Sequence, residues 1–292
     1  MHENVRTLLD TLELEKLEEN LFRGTSPDNG WQRVFGGQVV AQALVAAQNT
    51  VAQDRHVHSL HGYFIRPGDP TIPIVYEVAR LRDGGSFTTR VVTGIQHGEA
   101  IFTLSASFQR PEKGLEHQAT MPKVPGPDDI IGQEELTTRI LESAPDAVRH
   151  YWMRPRPIEF RPVSFEHYLT GDKLPPAQNV WVRCLSDIGD DPKLNAAVLA
   201  YLSDMTLLDT SLFAHGMSIF DRRVQAASLD HAMWFHRPFR VSEWLLYTQD
   251  SPSSSGGRGL TRGSLFSADG TLVASVAQEG LIRLRQKSQP DV

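Results

Sequence analysis

The chain carries one unit twice, and that repeat limits its possible folds more than any other feature. Gly98 to Phe108 reads GEAIFTLSASF and Gly270 to Gly280 reads GTLVASVAQEG; positions 98 and 270 align without a gap, 172 apart. Upstream, Phe64-Ile65-Arg66-Pro67 matches Phe235-His236-Arg237-Pro238 at a separation of 171, so a single inserted residue reconciles the blocks. A helix-like run precedes the strands in each half, Gly36 to Ala47 in the first and Leu194 to Leu212 in the second. Helix first and antiparallel strands after, done twice, predicts an α+β fold. The expected arrangement is two sheets joined edge to edge, each wrapped around its own helix.

The punctuation supports this order. Val75 to Leu81, Phe87 to Ile95 and Ala100 to Phe108 read as strands, separated by the hairpin signals Asp83-Gly84-Gly85 and His97-Gly98. Leu8, Leu9, Leu12, Leu17 and Leu21 fall at helical spacing and predict a leading helix over residues 3–22, followed by a turn-rich break from Gly24 to Gly30. The pair Gly36-Gly37 predicts close backbone approach at a helix start. Residues 111–178 hold many prolines and read as a connector. A strand is expected at Val180 to Leu185, and Ser251 to Gly259 reads as a flexible loop. The expected divisions are a first unit over residues 1–115, a connector over 116–178 and a second unit over 179–292.

Two polar side chains interrupt otherwise apolar faces. Alternate residues of the last strand, Leu272, Ala274, Val276, Gln278, Gly280, Ile282 and Leu284, share one face. Burying the Gln278 amide without partners costs about 1–3 kcal/mol. The equivalent position of the first copy is Ala106, so the repeat acts as an internal control. In the second helical run, Ala197, Tyr201, Asp204 and Leu208 step by four, three and four and share a face. Asp204 therefore projects from a buried stripe, whereas Asp209, near the end of the run, has room for an exposed place. Ser228, expected to open the strand after the helix, brings a hydroxyl that donates and accepts. Each group has a plain structural reading, a capped backbone group for Gln278 and an ion pair for Asp204, but all three fall in one copy. Asp, Ser and Gln together can hold one water molecule.

Bulk properties close off several classes. With 292 residues and 40% hydrophobic content, the chain can build two domains or one pseudo-symmetric one. A formal net charge of −6 offers nucleic acid no global attraction. Cys184 is the single cysteine, so no internal disulfide and no cysteine-based zinc site can form, and the histidines lack ligand spacing. No Gly-x-Ser-x-Gly elbow occurs, and His231 and His236 are triad candidates by sequence proximity alone. The acidic start MHENVRTLLD is unlike a signal peptide, no run approaches a membrane span, and QKSQPDV is not a Ser-Lys-Leu address. A soluble cytoplasmic protein is the expectation.

Long ordered strings carry a resemblance. LEKLEENLFRG, VFGGQVVAQAL, HGYFIRPGDP, HQATMPK, SLDHAMWFHRPFRVSEWLLY and LVASVAQEGLIR run over nearly the whole chain. In these the sequence resembles the type II acyl-CoA thioesterases (the TesB-like family). The resemblance implies a double hotdog, two helix-in-sheet units fused in one chain, acting without metal or cofactor on acyl-CoA. It implies a catalytic aspartate, hydroxyl residue and glutamine at Asp204, Ser228 and Gln278. The family's hydroxyl residue is typically threonine; serine keeps the donor and loses the methyl that restricts its rotamer. The resemblance also marks His58 as a family histidine with a structural or substrate-proximal role.

The expected reaction is metal-independent hydrolysis of fatty acyl-CoA to fatty acid and CoA, with CoA phosphates near Arg258 and Arg262 and a homo-oligomeric assembly. Two other classes stay open. An acyl-CoA sensor would carry a DNA-binding segment, and none is visible in the sequence. A hotdog hydratase would carry a Gly-Asp-x-Asn-Pro-x-x-His string, and the sequence has none.

Overall fold

The computed structural model describes residues 1–27, 32–130, 142 and 144–285. Part of the Gly24–Gly30 break and the whole of QKSQPDV lie outside the described residues. The chain opens with α1 (Glu3–Leu12), β1 (Glu15–Glu18) and β2 (Leu21–Gly24). Helix α2 (Gly36–Gln48) follows, then β3 (His56–Phe64), β4 (Ile74–Asp83), β5 (Phe87–Gln96) and β6 (Glu99–Gln109). The middle holds α3 (Asp146–Met153), β7 (Ile158–Pro162) and α4 (Glu166–Leu169). The second half runs β8 (Ala177–Cys184), α5 (Pro192–Ser203), α6 (Thr210–Phe213), β9 (Val224–Ser228), β10 (Asp230–Phe235), β11 (Leu245–Ser255), β12 (Arg258–Ser267) and β13 (Leu272–Leu284).

The strands form one antiparallel sheet in the order β1-β2-β4-β5-β6-β3-β10-β13-β12-β11-β8-β7, with β9 pairing β13. This order is a palindrome about the β3–β10 seam, where Asp230 faces Tyr63 and Trp234 faces Ser59. Two sheets are therefore joined edge to edge, as the repeat predicts, in the α+β arrangement of a double hotdog. The aligned glycines confirm the register of the two copies: Gly98 and Gly270 both turn at positive φ, 74° and 89°. Strand by strand, β7 matches β1 and β8 matches β2, and α3 precedes β7 as α1 precedes β1. Among its described residues the proline-rich segment thus holds α3, β7 and α4, of which α3 and β7 complete the second half of the palindrome.

Helices α2 and α5 are rich in alanine, valine and leucine on every side, the signature of a buried helix. Val40, Ala43, Leu44 and Ala47 of α2 and Ala197, Val198, Leu199 and Leu202 of α5 are all fully buried. The two lie antiparallel. Gln48 Nε2, at the end of α2, donates to the Lys193 carbonyl at the start of α5 at 3.2 Å. At the other end a Cβ on Gly37 would stand 2.3 Å from the Tyr201 carbonyl oxygen, so the glycine pair does permit close backbone approach.

Four expectations are corrected. The leading helix stops at Leu12, and residues 15–24 form a hairpin that leaves Leu17 exposed. Backbone pairing of β2 with the β4 edge, Arg23 against Val75, outweighs the helical spacing of the leucines. The Leu194–Leu212 run is broken after Ser203, because Thr206 takes a left-handed φ of 66°. Two amides hold that residue: the buried Gln249 donates from Nε2 to Thr206 Oγ1 at 2.9 Å, and the half-buried Gln178 from Nε2 to its carbonyl at 3.0 Å. Such a conformation in a β-branched residue costs about 1–3 kcal/mol. Ser251–Gly259 is not a loop: it is the tip of the β11–β12 hairpin, turned by Gly256 and Gly257 at φ 57° and 74°. Finally, Ser228 closes β9 and does not open a strand; one residue, Leu229, separates it from β10.

Candidate active site

Asp204 is the C-cap of α5, where the helix yields to the Thr206 bend. Ser228 sits at the β9–β10 break, opposite Gly280 of β13. Gln278 faces inward from β13 and is 1% exposed. The three meet. Gln278 Nε2 donates to Asp204 Oδ1 at 2.8 Å and to Ser228 Oγ at 2.6 Å. Ser228 Oγ donates to the same Asp204 Oδ1 at a looser 3.4 Å. Both amide hydrogens of Gln278 are thus spent on the cluster, and its Oε1 is buried without a hydrogen-bond partner.

The first unit reaches into this site through its helix. α2 has no side-chain cap on its first turn. Asp204 lies there instead: a Cβ on Gly36 would stand 2.7 Å from Asp204 Oδ2. A helix N-terminus carries partial positive charge, which favours a carboxylate. Burial still dominates and raises the Asp204 pKa to about 6; bonds from Gln278, the Gly37 backbone N–H and Ser228 hold it down against that pull. A carboxyl poised near neutrality, beside two hydrogen-bonding groups, is suited to accept a proton from water.

A cavity of about 430 Å³ opens next to the cluster, between α1, the start of α2 and residues 151–157. Phe35 and Met205, chain neighbours of Gly36 and Asp204, line it together with Tyr201, Leu8 and Arg156. The Arg156 guanidinium stacks over the Tyr151 ring at 4.8 Å. Among the described residues no three His, Cys, Asp or Glu side chains gather as a metal site. None of the described helices is long and apolar enough to cross a membrane.

The other candidates lie elsewhere. His58 Nε2 bonds Ser107 Oγ at 2.8 Å and its ring meets Phe87 edge-on, both within the first unit. Arg258 pairs with Glu279 at 2.9 Å and Arg262 with Asp250 at 2.6 Å, so carboxylates already neutralise both. His236 bonds Ser275 at 2.8 Å on the outer side. Asp209 is not exposed: it is 2% accessible and accepts a 2.6 Å bond from the Tyr168 hydroxyl. Tyr168 comes from the proline-rich segment, a partner that helical spacing cannot reveal. A backbone N–H at the start of a hotdog helix is an expected carbonyl partner; what the sequence does not show is that the Gly36–Gly37 turn lies against Asp204. The glycine pair signals close backbone approach without naming the partner.

Comparison with known proteins identifies the family. Residues 148–281 match the family model described as acyl-CoA thioesterase, and residues 25–109 match that of the acyl-CoA thioesterase N-terminal domain. Acyl-CoA thioesterase 2 of Haemophilus influenzae is 41% identical over 98% of this chain and 100% of its own length. The chain belongs to the acyl-CoA thioesterase family. A crystal structure of an acyl-CoA thioesterase II from Mycobacterium marinum shares 45% identity over 96% of this chain and 99% of that one, with a TM-score of 0.78. A protein described as having a hot dog fold, from Alicyclobacillus acidocaldarius, superposes at TM-score 0.77 with 22% identity, a likeness of fold alone. This member of the thioesterase family is a double hotdog whose polar cluster lies in the second unit and is closed by the first.

Proposed function

We propose that the protein hydrolyses fatty acyl-CoA to free fatty acid and CoA, using a water oriented by Asp204, Ser228 and Gln278. Asp204 takes a proton from that water as the oxygen attacks the thioester carbonyl, a contribution of about 10²–10⁴-fold. A backbone N–H of the first turn of α2 polarises the carbonyl oxygen as charge develops on it. The tetrahedral adduct collapses with loss of the CoA thiolate, which leaves as the thiol once protonated. The observation that carries this reading is the mutual contact of the three side chains, from three distant stretches of chain, against an uncapped helix start. The counterpart of Gln278 in the first unit is the apolar Ala106.

The neighbouring cavity supports a route for the thioester, with the acyl chain directed into apolar surroundings. A phosphate at Arg258 or Arg262 would have to displace Glu279 or Asp250, so substrate recognition there proceeds by carboxylate exchange. We assign the protein to the cytoplasm as a homo-oligomer; support for assembly comes from Tyr63 and Trp234, which expose aromatic surface beside the central seam.

The test is release of free thiol from a saturated acyl-CoA, followed with a thiol reagent. Wild-type protein should release thiol, Asp204→Ala should not, and Gln278→Ala, which copies the first unit, should be crippled. Full activity in Asp204→Ala ends this mechanism. A hydratase or a sensor would release no thiol at all.

A further inference from the structure

His231 is fully buried on the inner face of β10. The antiparallel β10–β13 ladder ends with Ala232 opposite Ala277, and His231 and Gln278 are the next residues beyond that end on the two strands. In the first unit the equivalent positions are Leu60 and Ala106, which are paired between β3 and β6. The same two positions are therefore apolar in one copy and polar in the other. A lone buried histidine has many causes; a histidine that appears together with its cross-strand glutamine has a narrower one.

The hydrogen bonds define what the pair lacks. His231 Nε2 lies 2.8 Å from Ser203 Oγ, the last helical residue before Asp204. His231 Nδ1 and Gln278 Oε1 are both buried and both without a hydrogen-bond partner. Burial lowers the His231 pKa to about 4, with the Gln278 side chain pulling the other way, so the ring is neutral and carries one proton. The single Ser203 hydroxyl hydrogen has two oxygen or nitrogen acceptors in reach, the Ala200 carbonyl at 2.9 Å and His231 Nε2 at 2.8 Å; when it goes to Nε2, the ring proton sits on Nδ1 and is available to Gln278 Oε1. In the other tautomer two lone pairs would confront each other in a dry interior, a costly arrangement.

We infer that His231 is a positioning residue whose Nδ1–H holds Gln278 Oε1 and so fixes which way the catalytic amide points. This rests on the proposed role of Gln278. An amide rotated by half a turn would set its oxygen against the Asp204 carboxylate and turn its NH₂ toward His231. With the Nδ1–H in place that rotation is opposed at both ends, and the two donors stay on Asp204 and Ser228. The line Ser203–His231–Gln278 thereby ties the end of α5 to the orientation of the cluster it helps to build.

The experiment uses the full chain and the thiol-release assay. His231→Leu copies the first unit, where Leu60 fills the same place, and should fold with an unchanged or higher melting temperature. Its kcat should fall about tenfold, the value of one lost orienting bond of about 1.4 kcal/mol, with KM little changed. His231→Asn, which returns an N–H donor, should recover part of the loss. A ring ¹⁵N–¹H correlation spectrum of the wild-type protein should show His231 as the neutral Nδ1–H tautomer. Wild-type kcat in His231→Leu, or an Nε2–H tautomer, overturns the inference. If Gln278→Ala is inactive while His231→Leu is normal, only the positioning role fails; if Gln278→Ala is itself fully active, the catalytic reading fails first.

Discussion

Gly36 opens the helix of the first unit directly against Asp204, which ends the helix of the second; a methyl group at Gly36 would stand 2.7 Å from Asp204 Oδ2. The site is therefore assembled by both copies of the repeat, although all three of its polar side chains come from one. The fused chain fixes this junction within a single molecule.

The glycine pair gives the first prediction. Gly36→Ala meets a carboxylate tip, so it should displace Asp204 and cut kcat severely while the melting temperature falls little. Gly37→Ala meets the Tyr201 backbone carbonyl at 2.3 Å, which cannot swing aside, so it should lower the melting temperature by several degrees. Thermal unfolding and thiol release, measured on both variants, check the contrast; equal loss of stability in the two would refute it.

Protonation of Asp204 sets the second. A general base must be ionised, so kcat/KM should fall about tenfold per pH unit below about pH 6, the value to which burial raises this carboxyl. Ser228→Ala removes one of the bonds that hold the pKa down. The acidic limb of its profile should therefore move to higher pH, and a limb that moves down or stays put contradicts the assignment.

Stability should run the other way. The carboxyls of Asp204 and Asp209 are raised to about 6 and about 7 by burial, above the ~3.9 of an unfolded aspartate. Their contribution to stability is complete below about pH 4 and is lost as pH rises through 6 to 7. Asp204→Asn and Asp209→Asn should each raise the melting temperature at pH 8 by a few degrees and leave it nearly unchanged at pH 4. The Asp204 variant should be inactive despite the gain. Denaturation scans at the two pH values decide it, and destabilisation at pH 8 would show that the charged forms are better accommodated than their burial implies.

Ser228→Thr is expected to help. The serine hydroxyl reaches Asp204 at a loose 3.4 Å, and it has three staggered wells to choose from. A methyl that disfavours the unproductive wells should raise kcat by up to about threefold. A fall in kcat would mean that the methyl clashes at the β9–β10 break.

Much of this was legible along the chain. The period-two alternation of β13 exposed Gln278 as out of place, and the aligned Ala106 showed that the fold does not require an amide there. Asp204 was found by helical spacing although it caps the helix and does not lie within it, because a C-cap continues the direction of the last turn. The same spacing misplaced Asp209, whose partner Tyr168 lies far off in sequence, and stretched α1 through Leu17, where sheet-edge hydrogen bonds rule. The glycine-rich 251–259 segment looked like a loop because its composition is that of a turn; two glycines at positive φ needed only two residues to turn and left the rest to the strands.

Sequence by itself determined the repeat, the two helices wrapped by their sheets and the two polar intruders Asp204 and Gln278, since each is written in local periodicity and in the comparison of one copy with the other. Tertiary structure alone decided that β3 and β10 join the units, that Thr206 ends α5 at Asp204, and that an uncapped helix start from one copy faces the carboxylate of the other. Those are contacts between groups distant along the chain. Their energies depend on burial and on partners that no local pattern encodes.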